Sequence, residues 1–181
     1  MKLLQRVFLR IGVLPFLMLL AICIFSFISG HFLSERNLLN VARQASYLAI
    51  ASLGQFLVLL VAGIDLSVGT ITAAASVASS MTMIAIGQAV PEAIWLAIPA
   101  GMLAGVLVAM ALGAVNGFGV SLLNVQPFMM TLGMTSIGFG LALFATSGMP
   151  VMGLPDAFAQ RFGYGAILGL PLPICVALVL A

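Results

Sequence analysis

An all-α, polytopic transmembrane helical bundle, of about five complete spans plus a truncated sixth, is the fold class this sequence predicts. Three observations predict it. Charged residues make up 6% of the 181 and hydrophobic residues 64%, against roughly 25% and 45–50% in a soluble domain. The mean hydropathy of +1.31 leaves too little polar surface to cover a soluble core, whereas lipid solvates apolar side chains and requires only that the backbone be satisfied internally. The apolar residues also fall in runs of about 20, the length at which a helix crosses a bilayer, and the alternating strands of a transmembrane barrel are absent.

The expected spans cover residues 11–29, 45–62, 68–86, 93–113 and 127–146, with a sixth over 167–181 that the chain end cuts. The first follows Lys2, Arg6 and Arg10. Its apolar run is too long for a secretory signal core and SFISGHF offers no A-x-A cleavage pattern, so it is expected to be retained. The same basic cluster places the N-terminus in the cytoplasm by the positive-inside rule. Arg36, Arg43 and Arg161 then fall on the far side, so orientation rests on the first helix. Between the first two spans, HFLSERNLLNVARQ is expected as a short amphipathic helix in the interface, with Ser34 as its N-cap and His31 at headgroup level. Cys23 and Cys175 sit in apolar runs without a CxxC or Cys/His cluster and are expected to serve packing.

The third span distributes small side chains, Thr70, Thr72, Ala73 to Ser76 and Ala78 to Ser80, around nearly the whole helix. It is expected to be enclosed, with hydroxyls that bond back to the carbonyl four residues earlier or line a wet path. The fourth carries Gly101, Gly105, Ala109, Gly113 and Gly117, a series at intervals of four that forms one ridge without side chains. Such a ridge lets another backbone approach, within the subunit or across a dimer of subunits. Pro99 in the same span removes a backbone donor and is expected to kink it. After the fifth span, SGMPVMGLPDAFAQRFGYGA is expected to be an irregular loop with one short helix over DAFAQRF.

The heptapeptide GIDLSVG, Gly63 to Gly69, places a carboxylate at bilayer depth, where insertion costs about 2.5–3.5 kcal/mol unless it finds a partner or water. Two roles are open and compatible. Gly63 ends the second span as a C-cap while Asp65 or Ser67 accepts from the free amides opening the third. Alternatively, the unwound GID segment lies within the membrane and faces a cavity crossed by substrate.

The stretch GQFLVLLVAGIDLSVGTITA, Asn116-Gly117 downstream, and NVQPFMMTLGMTSIGFGLALFATSGMPV resemble the ribose-type permease of bacterial ABC sugar importers. In that family GQ-x-x-V-x-x-x-GGIDLSVGS is followed by NG and then by V-x-PF-x-x-TLG-x-x-x-x-x-x-G-L-A. NLLNVARQAS is similar to the segment before the second span, and the resemblance runs from about Leu33 to Ala181. Ala62 replaces the first glycine of the usual pair, and Thr70 the usual serine. The family's later, cytoplasmic coupling segment, similar to FGR-x-x-YAIGGN-x-x-AARLSGI, has no counterpart here, so the chain is expected to be the N-terminal part of a permease domain or a truncated copy.

The resemblance implies a bacterial inner-membrane pore subunit that pairs with a second permease, identical or not, is energised by cytoplasmic ATPase subunits and receives sugar from a periplasmic binding protein. It places Gln55, Asp65, Ser67, Asn116, Asn124 and Gln126 nearest the path or its hinges, against the alternative of interhelical hydrogen bonds worth around 0.6 kcal/mol each. No GxxxxGK[ST] occurs, so no cofactor is expected on this chain, and ATP with magnesium belongs to a partner. One histidine and no acidic pair exclude an obvious catalytic or metal set. The net charge of +2, drawn from separated places, is neither a nucleic-acid nor a polybasic lipid signal, so no nucleic acid is expected and membrane lipid is a partner only as the solvent of the spans. The rival readings are a branched-chain amino-acid or nucleoside permease, a secondary transporter or channel, for which Asp65 is the one acidic candidate at depth, and a transport-incompetent membrane protein.

Overall fold

In the computed structural model, which describes residues 12–167 and 169–180, Pro15 lies in the first turn of helix α1 (Leu14–Ile28). Proline is tolerated there because its missing N–H has no partner in a first turn. The basic cluster Lys2, Arg6 and Arg10 lies outside the described residues. The chain divides into two compact units, with the boundary between Ala45 and Ser46. In the first, Phe25 and Phe32 stack with ring centroids 5.7 Å apart, and the Asn37 side-chain amide donates to Phe32 O at 2.7 Å. Ser34 Oγ accepts the Asn37 N–H at 3.3 Å, which is N-cap geometry.

Helix α2 runs from Glu35 to Leu60 without interruption. The separate interfacial helix expected between the first two spans is therefore the first part of one 26-residue helix. The junction, VARQASYLA, contains no glycine or proline and is rich in good helix formers, so nothing in it stops propagation.

In the second unit, α3 (Val68–Ala89) is followed by a 3₁₀ turn (Pro91–Ala93) and α4 (Ile94–Ser121), and α5 (Pro127–Thr146) completes the central group. Among the described residues three helical stretches, Val68–Ala89, Pro91–Ser121 and Pro127–Thr146, are long and apolar enough to cross a membrane. Helix α4 extends well past the expected limit at residue 113 and absorbs most of NGFGVSLL; the glycines there are spaced singly and do not break it. Pro99 lies inside the same helix.

The packing follows the small residues. Gly101 and Gly105 of α4 lie against α3, where a Cβ at Gly105 would meet Ala75 O at 2.9 Å and Ser79 Cβ at 3.1 Å. A Cβ at Gly101 would meet Ser79 O at 2.7 Å. Gly138 of α5 abuts Thr70 of α3 in the same way, at 3.2 Å. Met83 and Met134 fill the interior left around these contacts. Thr72 and Thr82 on α3 donate to the carbonyls four residues earlier, Val68 O and Ala78 O. Most other large apolar side chains are exposed, the distribution of a chain whose outer faces are solvated by lipid.

Beyond α5, a short helix α6 (Asp156–Phe158) continues as a π-helical turn (Ala159–Gly163), so the stretch DAFAQRF is helical, and Phe158 stacks on Phe162. A two-residue antiparallel pair follows, β1 (Ala166–Ile167) with β2 (Leu170–Pro171). The final helix α7 (Leu172–Leu180) therefore starts later than the expected residue 167. Leu170-Pro171-Leu172-Pro173 explains the delay, because a residue preceding proline is held in extended backbone.

Candidate functional site at the break between α2 and α3

Helix α2 ends in a Schellman turn. The Gly63 N–H donates to Val58 O at 3.0 Å and the Ala62 N–H to Leu59 O at 2.9 Å, the paired bonds that close such an end. The left-handed position is taken by Ala62, with φ 55°. Gly63, expected as the capping glycine, is the residue after it. Gly63 is buried, and a Cβ there would lie 3.2 Å from Val58 O, so its role is close approach rather than positive φ.

Asp65 follows two residues later and closes the entry to α3. Its Oδ1 accepts the Ser67 N–H at 2.7 Å and the Ser67 hydroxyl at 2.6 Å. The first of these satisfies an amide that opens the helix, as a cap does. Ser67, at 0% exposure, makes no side-chain cap bond itself. Its hydroxyl oxygen instead accepts from the Asn116 side-chain amide of α4 at 2.8 Å. Thr131 of α5 completes the tie: its hydroxyl lies 3.2 Å from Ile64 O and 2.9 Å from Pro127 O. The non-helical segment is thus held from α4 through Asn116 and from α5 through Thr131.

Two cavities flank this segment. The larger, about 510 Å³, is lined by Gln55, Asp65, Thr72, Ala109 and Gly113 among others. The smaller, about 240 Å³, is lined by Gly63, Asp65, Gly113, Asn116, Gly117 and Thr131 among others. Asp65 borders both. The glycine series on α4 accordingly divides: Gly101 and Gly105 carry the contact with α3, whereas a Cβ on Gly113 or Gly117 would meet nothing within 4 Å. Gln55 Oε1 and Asn116 Oδ1 are buried acceptors without a hydrogen-bond partner. Among the described residues no group of three histidine, cysteine or acidic side chains gathers for a metal.

The structure brings Asp65, Ser67 and Asn116 into one hydrogen-bonded chain and sets Gln55 on the wall of the larger cavity. Asn124 and Gln126 fall instead in the α4–α5 connection. Asn124 has φ 53°, a conformation asparagine tolerates better than most residues, and Gln126 is the N-cap of α5 without a side-chain cap bond. Thr131 and Ala62 were not among the expected site residues. The signal for Thr131 lay in PFMMTLG and that for Ala62 in the departure from a glycine pair, but neither carries a charge or an amide to draw notice.

Residues 37–170 match the family described as the branched-chain amino acid transport system permease component. The chain belongs to this permease family. Among curated proteins it is similar to the D-allose transport system permease protein AlsC of Escherichia coli K12, 34% identical over 92% of this chain and 48% of that protein. It is 37% identical to the ribose import permease protein RbsC of Haemophilus influenzae over 88% of this chain and 47% of the relative. Against the galactofuranose transporter permease protein YtfT of Escherichia coli K12 the identity is 32%, over 90% and 47%. The chain spans about half the length of the curated relatives it matches. No solved structure matches it significantly. The similarity to permeases and the three long apolar helices make this a membrane protein.

Proposed function

We propose that this chain forms the translocation path in the permease subunit of an ATP-driven sugar importer of the bacterial inner membrane, with its N-terminus in the cytoplasm. A second permease subunit, cytoplasmic ATPase subunits carrying ATP and magnesium, and a periplasmic sugar-binding protein are its partners in this reading. The observation that carries it is the break at Gly63 to Ser67, where Asp65 borders two cavities, in a chain similar to ribose, allose and galactofuranose permeases. Unwound backbone at membrane depth is tolerated only where protein buries it or a cavity wets it, and discontinuous segments of this kind are where transporters contact cargo.

Uptake tests the proposal. Proteoliposomes containing the permease, the ATPase and the binding protein encoded beside it should accumulate labelled ribose or allose only with ATP. A second reading, import of branched-chain amino acids, is favoured by the family description. ATP-dependent accumulation of leucine, with none of sugar, would replace the first reading by the second.

A further inference from the structure

The corner that joins α1 to α2, inside the first compact unit, holds a polar cavity of its own. Its volume is about 460 Å³, and its wall carries Ser29, His31, Ser34, Arg36, Asn37 and Asn40. Hydrogen bonds within the corner use up most of its acceptors. The His31 carbonyl takes the Ser34 hydroxyl at 2.7 Å, the Phe32 carbonyl takes the Asn37 side-chain amide at 2.7 Å, and Asn40 Oδ1 takes the Arg43 guanidinium at 3.1 Å. What is left over is chiefly donors. The five N–H groups of Arg36, the His31 ring N–H, the Ser29 hydroxyl and the Asn40 NH₂ have no acceptor among the described residues, and one side-chain amide acceptor, Asn37 Oδ1, stands against them. No carboxylate lines the cavity, since Glu35 is not part of its wall. A wall with spare donors and a fixed guanidinium charge suits an anion, and the planar fork of arginine matches two oxygens of a phosphate.

The surroundings decide which anion. Helix α1, LPFLMLLAICIFSFI, carries no charge and ends at Ile28, one residue before the polar wall begins. Phe27 is 92% exposed, and Ile28 and Leu33 are exposed as well. A dissolved anion would leave these side chains in water. A phospholipid covers them with its acyl chains while its headgroup reaches the cations, the division of labour at a membrane interface.

We propose that this corner is a binding site for one anionic phospholipid, its phosphodiester held by Arg36 with His31 and Asn40, and its acyl chains lying over Phe27, Ile28 and Leu33. Membrane lipid, expected only as the solvent of the spans, then has one fixed position. The site is independent of the cargo and of the importer reading.

Binding of radiolabelled dioleoylphosphatidylglycerol to the purified full chain in dodecyl maltoside, beside labelled dioleoylphosphatidylcholine, tests this. The chain should hold the anionic lipid about tenfold more tightly than the zwitterionic one. Arg36 is exposed on the surface of α2, so Arg36→Gln should fold normally and lose about tenfold in affinity for phosphatidylglycerol, the worth of a charge-assisted hydrogen bond. Arg36→Lys, which keeps the charge without the fork, should lose less. Arg161→Gln, which removes an exposed cation from another part of the chain, should lose nothing. Equal affinity for the two lipids, or a preference that Arg36→Gln leaves unchanged, would overturn the proposal. Displacement of the label by inorganic phosphate at the same concentration as the lipid would make the ligand a soluble anion and overturn the lipid assignment.

Discussion

The same substitution at four positions of one helix should give two opposite results. Glycine to alanine inside a helix gains about 0.5–1 kcal/mol by reducing the entropy lost on folding, wherever on α4 it is made. At Gly105 the new Cβ would lie 2.9 Å from Ala75 O and 3.1 Å from Ser79 Cβ. Both contacts are tighter than van der Waals packing accepts, and one is to backbone that cannot step aside, so overpacking of about 1–3 kcal/mol is expected. Gly101, 2.7 Å from Ser79 O, belongs with it. At Gly113 and Gly117 nothing lies within 4 Å, and only the gain remains. Gly105→Ala should therefore be less stable than Gly113→Ala by about 1–3 kcal/mol, with the propensity term cancelling in the comparison. Thermal unfolding in mild detergent reads this as a difference of roughly 2–4 °C per kcal/mol for a chain of this size. Equal shifts at Gly105 and Gly113 would refute the division of the ridge into a packed half and an open half.

Ala62→Gly should raise stability by about 0.5–1 kcal/mol, because an L-residue in the left-handed conformation pays about 1–2 kcal/mol that glycine avoids at some entropic cost; a lower unfolding midpoint would contradict the Schellman geometry. Asp65→Asn keeps one acceptor oxygen for Ser67 and should unfold later than Asp65→Ala, which loses a cap worth about 0.5–2 kcal/mol; equal midpoints for the two, both below the wild type, would show that the charge, not the cap, stabilises the break. Thr131→Val removes the tie to Ile64 O and should cost about 0.5–1.5 kcal/mol, measurable in the same assay, with no loss if the bond to Pro127 O is its only role. A periplasm-active reporter fused after Thr146, within residues 149–164, should be active, and silence there would reverse the orientation proposed from Lys2, Arg6 and Arg10.

The membrane bundle was legible because apolar runs long enough to span a bilayer have few other uses, and three of the expected spans fall on the long helices α3, α4 and α5, although α4 runs eight residues past the expected end at 113. The cap at Ser34 was legible from its position before a periodic run. The continuity of α2 was not, since the change from amphipathic to apolar composition near Ala45 alters which surface the helix meets without altering its backbone. The β1–β2 turn escaped because two-residue strands leave no periodicity, although Pro171 and Pro173 already forbade an earlier start for α7. At the site, chemistry drew attention to Asp65, Ser67, Gln55 and Asn116, whose polar groups must find partners in an apolar setting. Ala62 and Thr131 act through backbone conformation and one carbonyl, which side-chain identity does not advertise. The split of the glycine ridge depends on where α3 ends against α4, a tertiary fact that spacing alone leaves open.

The central claim is that cargo passes beside the Gly63 to Ser67 break, and a plug there tests it most directly. Gly113 borders both cavities and has free space for a side chain, so Gly113→Trp should fold and insert normally while occupying the space next to Asp65. ATP-dependent sugar uptake by proteoliposomes carrying Gly113→Trp, measured at matched protein level beside Gly140→Trp on α5, where a side chain likewise meets nothing within 4 Å, should fall by more than about tenfold, the effect of a barrier raised by 1.4 kcal/mol. Uptake at the wild-type rate in Gly113→Trp would place the path elsewhere and leave the break a structural turn.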